Sequence, residues 1–246
     1  MALLRTENIS IAFDGRQILR DISVSLEEGE LVSLLGLSGS GKSTLLNIIS
    51  GLLPPDAGRV FLEEEEITGR PGHVSYMLQK DLLLEHKRII DNVCLPLTLR
   101  GTKRRQAHRE AGQYFDQFGL SGTERLYPAQ LSGGMRQRAA LLRTYLSSRK
   151  IVLLDEPFSA LDMITKGQMH EWYLDVMHRV HLTTLLITHD VNEAILLSDR
   201  VCLLTGSPGE IRHVIRIEAP WDQRKDFELT PEFLSYKQQI MGLLRS

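Results

Sequence analysis

The stretch from 31 to 44, LVSLLGLSGSGKST, decides the fold. Its first five residues are almost continuously apolar, the pattern of a strand buried on both faces. Gly36, Leu37, Ser38, Gly39, Ser40, Gly41, Lys42, Ser43 and Thr44 then match the spacing GxxxxGK[ST], after a strand and before a helix as that pattern requires. Glycines in such a loop let backbone N–H groups turn inward around a phosphate, where a Cβ would clash. The amino terminus of the following helix adds the positive end of its dipole. Lys42 can reach the outer phosphates of a nucleotide, and the Ser43 hydroxyl can ligate Mg²⁺. The plain alternative is a Gly/Ser-rich turn with a solvated lysine, and the strand–loop–helix context argues against it.

Outward from this loop, short apolar runs recur at 74–78 (VSYML), 151–154 (IVLL), 185–187 (LLI) and 201–204 (VCLL). Helical stretches over 43–49, 135–146 and 167–180 alternate with them. That alternation predicts an α/β core with a mainly parallel sheet. Residues 3–28 carry short alternating runs and the turn Asp14-Gly15, the marks of an antiparallel β region at the edge of the core. Residues from about 81 to 147 read as a mainly helical insertion with a basic patch of Arg100, Lys103, Arg104, Arg105 and Arg109. The expected organisation is one domain over 1–218 and a short helical tail over 219–246, with Thr230-Pro231-Glu232 as a helix start. The acidic run 63–66 has no functional reading.

Parallel strands bring their carboxyl ends to one rim, where α/β sheets bind ligands. In KIVLLDEP (150–157), Asp155 and Glu156 stand at such an end. Asp155 can hold Mg²⁺, and Glu156 can accept a proton from an attacking water. Gln79 ends HVSYML and His189 ends TTLLIT. Either alone reads as surface or structure, but convergence on one rim lets Gln79 contact Mg²⁺ and the water, and His189 the γ-phosphate. LSGGMRQR (131–138) opens another helix, with Ser132 as its cap and Gly133 and Gly134 open to an anion. A single nucleotide site has no evident place for this second phosphate device in cis.

Composition narrows the class. With 29 Lys+Arg against 31 Asp+Glu, the net charge is −2, so bulk charge does not carry the chain to nucleic acid. Hydrophobic residues at 42% and charged residues at 24% are those of a globular protein. Cys94 and Cys202 are the only cysteines, with no CxxC spacing, which argues against a disulfide framework or zinc module. His170, His178 and His181 read as a solvated helix face rather than a metal site. The start, MALLRTENIS, lacks a signal-peptide core, and no apolar run approaches the ~20 residues of a membrane helix.

LSGGMRQR resembles the signature sequence of ABC ATPases. With GLSGSGKST, the Gln79 loop, IVLLDEP, the turn Ser159-Ala160-Leu161-Asp162 and Thr188-His189-Asp190, the set stands in family order over residues 3 to 215. The resemblance implies a P-loop NTPase core with an amino-terminal antiparallel β subdomain and a helical insertion subdomain. It implies a head-to-tail dimer, each ATP lying between the phosphate loop of one subunit and Ser132, Gly133 and Gly134 of the other. It also implies an aromatic ring over adenine; Phe13 stands where that residue is usually Tyr. The stretches HVSYMLQKDLLLEHKRIIDNVCLPL, SALDMITKGQMHEWYLDV and ITHDVNEAILLSDRVCLLTGSPGEI look like ATPases of importers for nitrate, sulfonates, taurine and pyrimidine precursors. The expectation is therefore a peripheral ATPase on the cytoplasmic face of the membrane. It would use ATP and Mg²⁺, dock on a permease and be served indirectly by an extracytoplasmic solute-binding protein. Two alternatives stay open: a soluble cofactor-assembly ATPase, with soluble partners only, and an exporter or lipoprotein-release ATPase.

Overall fold

The computed structural model describes residues 2–148 and 150–245, with backbone alone at 221 and 222. β1 (Ala2–Phe13) and β2 (Arg16–Ile22) form a hairpin. Its turn residues, Asp14 and Gly15, both take positive φ (50° and 76°), the geometry that matches strand twist in a two-residue turn. β3 (Ser25–Glu27) returns antiparallel to β1, and β4 (Leu31–Leu35) leads into α1 (Lys42–Ile49). Then come β5 (Ala57–Leu62), β6 (Glu65–Glu66) and β7 (Ser75–Met77). A helical stretch follows: α2 (Ile89–Val93), α3 (Leu95–Leu99), α4 (Arg104–Gly112) and α5 (Gly133–Ser147). β8 (Ile151–Asp155), α6 (Met163–Val180), β9 (Thr183–Thr188), α7 (Val191–Leu197), β10 (Arg200–Thr205), β11 (Glu210–Arg216) and α8 (Pro231–Arg245) complete the order.

The central sheet runs β11-β10-β4-β9-β8-β7 and is parallel except for β11 at its edge. The second sheet, β2-β1-β5-β6 with β3 on β1, is antiparallel throughout. Its β5–β6 hairpin accounts for the acidic run. Glu63 turns with φ 55°, Glu65 and Glu66 pair opposite Leu62 and Phe61, and Glu63 meets Lys150 in an ion pair.

The central sheet separates two cores, and strand alternation fills both. Leu31, Leu35, Val152, Leu154, Val201 and Leu203 face the helices that follow β7. Val32, Leu34, Ile151, Leu153, Cys202 and Leu204 face α1 and the antiparallel sheet, meeting Leu45, Ile48, Leu4 and Leu26. Each such burial is worth about 1.5–3 kcal/mol, and a one-residue slip of register would exchange the two faces. This is why the runs read as continuously apolar.

Helix starts follow their caps. The side chain of Asp162 accepts the N–H groups of Ile164 and Thr165, so α6 begins at Met163, ahead of the expected 167. Beyond β11, a 3-10 stretch over Trp221–Leu229 and α8 place Phe227, Phe233 and Ile240 in the helical core. Buried Arg224 donates to Asp199 Oδ1 at 2.8 Å and to the Ala219 carbonyl at 3.2 Å, fastening this tail to the loop after α7.

Candidate active site

β4 ends at Leu35, and the loop to α1 turns on two glycines that no other residue replaces. A Cβ on Gly36 would lie 2.3 Å from the Leu204 carbonyl oxygen. Gly41, with φ +95°, would drive a Cβ to 2.6 Å from Leu19 Cδ2. Lys42 opens α1 and is buried, its Nζ donating to the Gly36 and Leu37 carbonyls at 2.8 and 2.9 Å. Burial lowers the Lys42 pKa, against the opposing charges of Glu156 and Asp155. The Ser40 hydroxyl is buried with no hydrogen-bond partner. A groove of about 360 Å³ opens over this loop, lined by Phe13, Ile18, Ser38, Gly39, Gly41, Lys42, Ser43, Thr44 and Glu156. Phe13 presents a half-exposed ring at its edge. A buried lysine, an unpartnered hydroxyl and an open, glycine-bounded groove are what a polyphosphate requires.

The ends of β7, β8 and β9 close the other side. Asp155, last in β8, is buried and accepts from the Tyr76 hydroxyl of β7 at 3.3 Å and from Ser43. Burial raises its carboxyl above the usual range, against the Ser43 and Tyr76 hydrogen bonds. Burial likewise pushes the Tyr76 phenol far up, and the Asp155 charge adds to it. Glu156 sits at φ 46°, outside the conformations a glutamate prefers, its N–H held by the Ile187 carbonyl at 3.0 Å. Its Oε1 lies 3.1 Å from His189 Nδ1. Gln79 Nε2 donates to Ser159 Oγ at 3.1 Å and to Glu156 Oε2 at 3.5 Å. Gln79, Glu156 and His189 thus meet at one point beside Lys42, Ser43 and Asp155.

Ser132, Gly133 and Gly134 are not among the residues lining this groove. Ser132 Oγ caps α5 by accepting the Met135 N–H at 3.3 Å. One turn on, Arg136 grips Asp81 with two hydrogen bonds (2.8 and 3.1 Å) and Glu85 with one (2.7 Å). Arg143 donates to the Leu82 carbonyl at 2.8 Å and the Asp81 carbonyl at 2.5 Å. The segment after Gln79 is therefore clasped to the helix that Ser132 begins.

The family model described as ABC transporter matches residues 19–159, from β2 to just beyond Glu156. The chain belongs to the ABC transporter family. The formylaminopyrimidine import ATP-binding protein ThiZ of Halalkalibacterium halodurans is 41% identical, covering 98% of this chain and 96% of its own. The nitrate import ATP-binding protein NrtD of Synechocystis sp. is 38% identical, covering 92% and 88%. Among solved structures, the dimeric ABC cassette MJ0796 bound to ADP and Pi matches with a TM-score of 0.72 at 26% identity, over 88% of this chain and all of that one. As an ABC cassette, the chain binds ATP and couples its hydrolysis to transport. Among its described residues, no helix is long and apolar enough to cross a membrane.

The geometry of this ABC cassette adds residues that the sequence reading missed. Tyr76 was hidden within an apolar strand, where only its phenolic tip signalled a polar task. Behind His189 lies a buried charge cluster. Glu193 Oε1 is 2.5 Å from Lys166 Nζ and 3.4 Å from His170 Nε2, and Glu193 Oε2 accepts from Thr188 Oγ1 at 2.5 Å. Lys166 also reaches Asp190 Oδ2 at 2.8 Å. His170 is therefore buried rather than on a solvated face. The spacing Asp190-x-x-Glu193 before an apolar run is a capping-box signal that marks both carboxylates.

Proposed function

We propose that this chain is the ATP-hydrolysing subunit of an importer that takes up a small solute of the nitrate, sulfonate, taurine or pyrimidine-precursor type. The observation that carries the reading is that Gln79 and His189, from two strand ends, converge on Glu156, which with Lys42 lines the groove. In this reading the backbone N–H groups of Gly36 to Thr44 and the Lys42 ammonium hold the phosphates, and Phe13 stacks on adenine. Ser43, Asp155 and Gln79 offer hydroxyl, carboxylate and amide oxygens, the hard donors Mg²⁺ takes. Mg²⁺, when bound, neutralises charge on the β- and γ-phosphates.

Glu156 is the general base that accepts a proton from the attacking water. His189, with Nδ1 on Glu156, keeps its other ring nitrogen free for the γ-phosphate. Gln79 orients the water and reports the γ-phosphate to the segment clasped by Arg136. Ser132, Gly133 and Gly134 serve the nucleotide of a second, identical subunit, so ATP favours the closed pair by contacts made only there. The surface after Gln79 docks on a permease from the cytoplasmic face, and an extracytoplasmic solute-binding protein delivers the solute.

Glu156→Gln removes the base while keeping shape. The expected outcome is ATP-dependent dimerisation in size-exclusion chromatography with steady-state hydrolysis lowered by about 10²-fold or more. Full turnover in that variant overturns the assigned role. Affinity purification from solubilised membranes tests transport separately: recovery of a polytopic permease supports it, and recovery of soluble partners alone refutes it.

A further inference from the structure

Away from the nucleotide groove, the helical region gathers three side chains of ligand chemistry that the hydrolytic mechanism leaves unused. Asp91 lies on α2, Cys94 at the junction of α2 and α3, and His108 on α4. The three-residue spacing puts Asp91 and Cys94 on one helix face, and α4 packs His108 against it. One ligand atom from each side chain lies within 4.8 Å of the other two. His108 Nε2 is 2.8 Å from Asp91 Oδ1. Cys94 is buried, the Asp91 side chain is 15% exposed and that of His108 33%, so the cluster is partly enclosed.

A fourth group shows what the site attracts. Arg104, the most exposed member at 71%, reaches over with Nε at 3.0 Å from Asp91 Oδ1 and NH2 at 2.9 Å from Oδ2. The half-enclosed carboxylate thus already draws a cation, one borne on a flexible arm that solvent can take back. We propose that Asp91, Cys94 and His108 form a binding site for a divalent cation of the zinc type, with the Arg104 guanidinium covering the carboxylate when the ion is away.

The donor set selects the metal. One thiolate, one imidazole and one carboxylate suit Zn²⁺ and its borderline neighbours, and exclude Mg²⁺ and Ca²⁺, which take oxygen. With bonds of about 2.0–2.3 Å, the edges of a tetrahedral zinc site are about 3.3–3.7 Å. The widest separation, at most 4.8 Å, therefore closes by about 1.5 Å or less, within reach of side-chain rotation. Three protein ligands leave the fourth position to water. Binding replaces the Cys94 S–H bond by an S–metal bond, and the proton passes to solvent. An ion here ties α4 to α2, directly behind the segment that runs from Gln79 to Arg88. Binding would thus stiffen the side of the cassette proposed to meet the permease.

The test uses the full chain without nucleotide, titrated with Co²⁺ as a spectroscopic probe and then with Zn²⁺. The expected result is a near-ultraviolet thiolate-to-Co²⁺ charge-transfer band that saturates at one ion per chain and is abolished by one equivalent of Zn²⁺. Cys94→Ser removes the band. His108→Gln weakens binding about tenfold or more. Arg104→Gln tightens it several-fold, since the variant loses the cation that competes for Asp91. Thermal unfolding of each metal-free variant checks the fold, and Cys94→Ala carries the test if the serine variant unfolds. Absence of the band in the wild type overturns the proposal, as does a band that survives loss of Cys94. Weaker binding by Arg104→Gln also overturns it, because a purely structural Arg104–Asp91–His108 triad predicts no gain. Co²⁺ held by His178 and His181 alone gives no thiolate band and so counts against the site.

Discussion

Lys166→Met removes one ammonium from the cluster behind His189, and its cost follows from the geometry. Lys166 Nζ stands 2.5 Å from Glu193 Oε1 and 2.8 Å from Asp190 Oδ2, and Glu193 is 3% exposed. Methionine fills the volume but leaves a buried carboxylate without its cation. Breaking a fully buried pair costs about 3–5 kcal/mol. Here Lys166 is 22% exposed and Glu193 keeps its bond from Thr188, so we expect about 2–3 kcal/mol. For a chain of this size that lowers Tm by about 5–10 °C. Asp190 caps α7 through the Asn192 and Glu193 N–H groups and directly follows His189, so its loosening misplaces the imidazole. A displacement of about 1 Å lowers kcat by about ten- to a hundredfold, with KM for ATP little changed. Lys166→Arg restores both. The decisive assay is a double-mutant cycle with Glu193→Gln, read by urea unfolding and by ATPase rate. Removing both charges recovers stability, with a coupling of about 1–3 kcal/mol. Strict additivity, with coupling below about 0.5 kcal/mol, refutes a functional pair.

Three further outcomes are expected. Tyr76→Phe deletes the hydroxyl that donates to Asp155, and raises the Mg²⁺ concentration for half-maximal hydrolysis up to about tenfold; an unchanged Mg²⁺ titration shows that Tyr76 has no hold on Asp155. Gly41→Ala forces a Cβ against buried Leu19 at positive φ, and costs about 2–3 kcal/mol in chemical unfolding together with loss of ATP-analogue binding; wild-type stability contradicts the loop geometry. Burial pushes the carboxyls of Asp81, Asp91, Asp190 and Glu193 up, but their hydrogen bonds and cationic partners hold all four below the ordinary range. Their stabilisation is therefore full above the unfolded carboxylate pKa, about pH 4–4.5, and is lost as pH falls through the lower folded values. Urea midpoints that rise between pH 5 and pH 3 contradict this.

The strands of the parallel sheet were legible because both of their faces are buried, which leaves apolar runs with no polar face. The motif at 36–44 was legible for a different reason: its glycines answer to backbone geometry, which leaves the same mark in any chain. β11 left no such mark. It is an edge strand with exposed Arg212, His213 and Val214 and only Ile215 buried, so the core constrains few of its residue types. The acidic run 63–66 was equally opaque, because a hairpin turn and a two-residue strand make few demands beyond exposure. The start of α6 moved to Met163 because a cap, and not hydrophobic period, sets it. Lys166 and His170 share one face of α6, but Glu193 comes from α7, and nothing local announces that their charges share one space.

By itself, the sequence determined the α/β layering, the place of the phosphate loop and the family. Each of these rests on short-range order: the period of apolar residues, the glycine spacing and the motifs in succession. The tertiary structure alone decided which carboxylate meets which cation. It placed Glu156 against His189 and Gln79, Tyr76 on Asp155, Lys166 on Glu193 and Arg104 on Asp91. The physical reason is range. Backbone conformation and burial pattern are written within a few residues, whereas a hydrogen bond or ion pair acts over about 3 Å between segments that only the packed sheet and helices bring together.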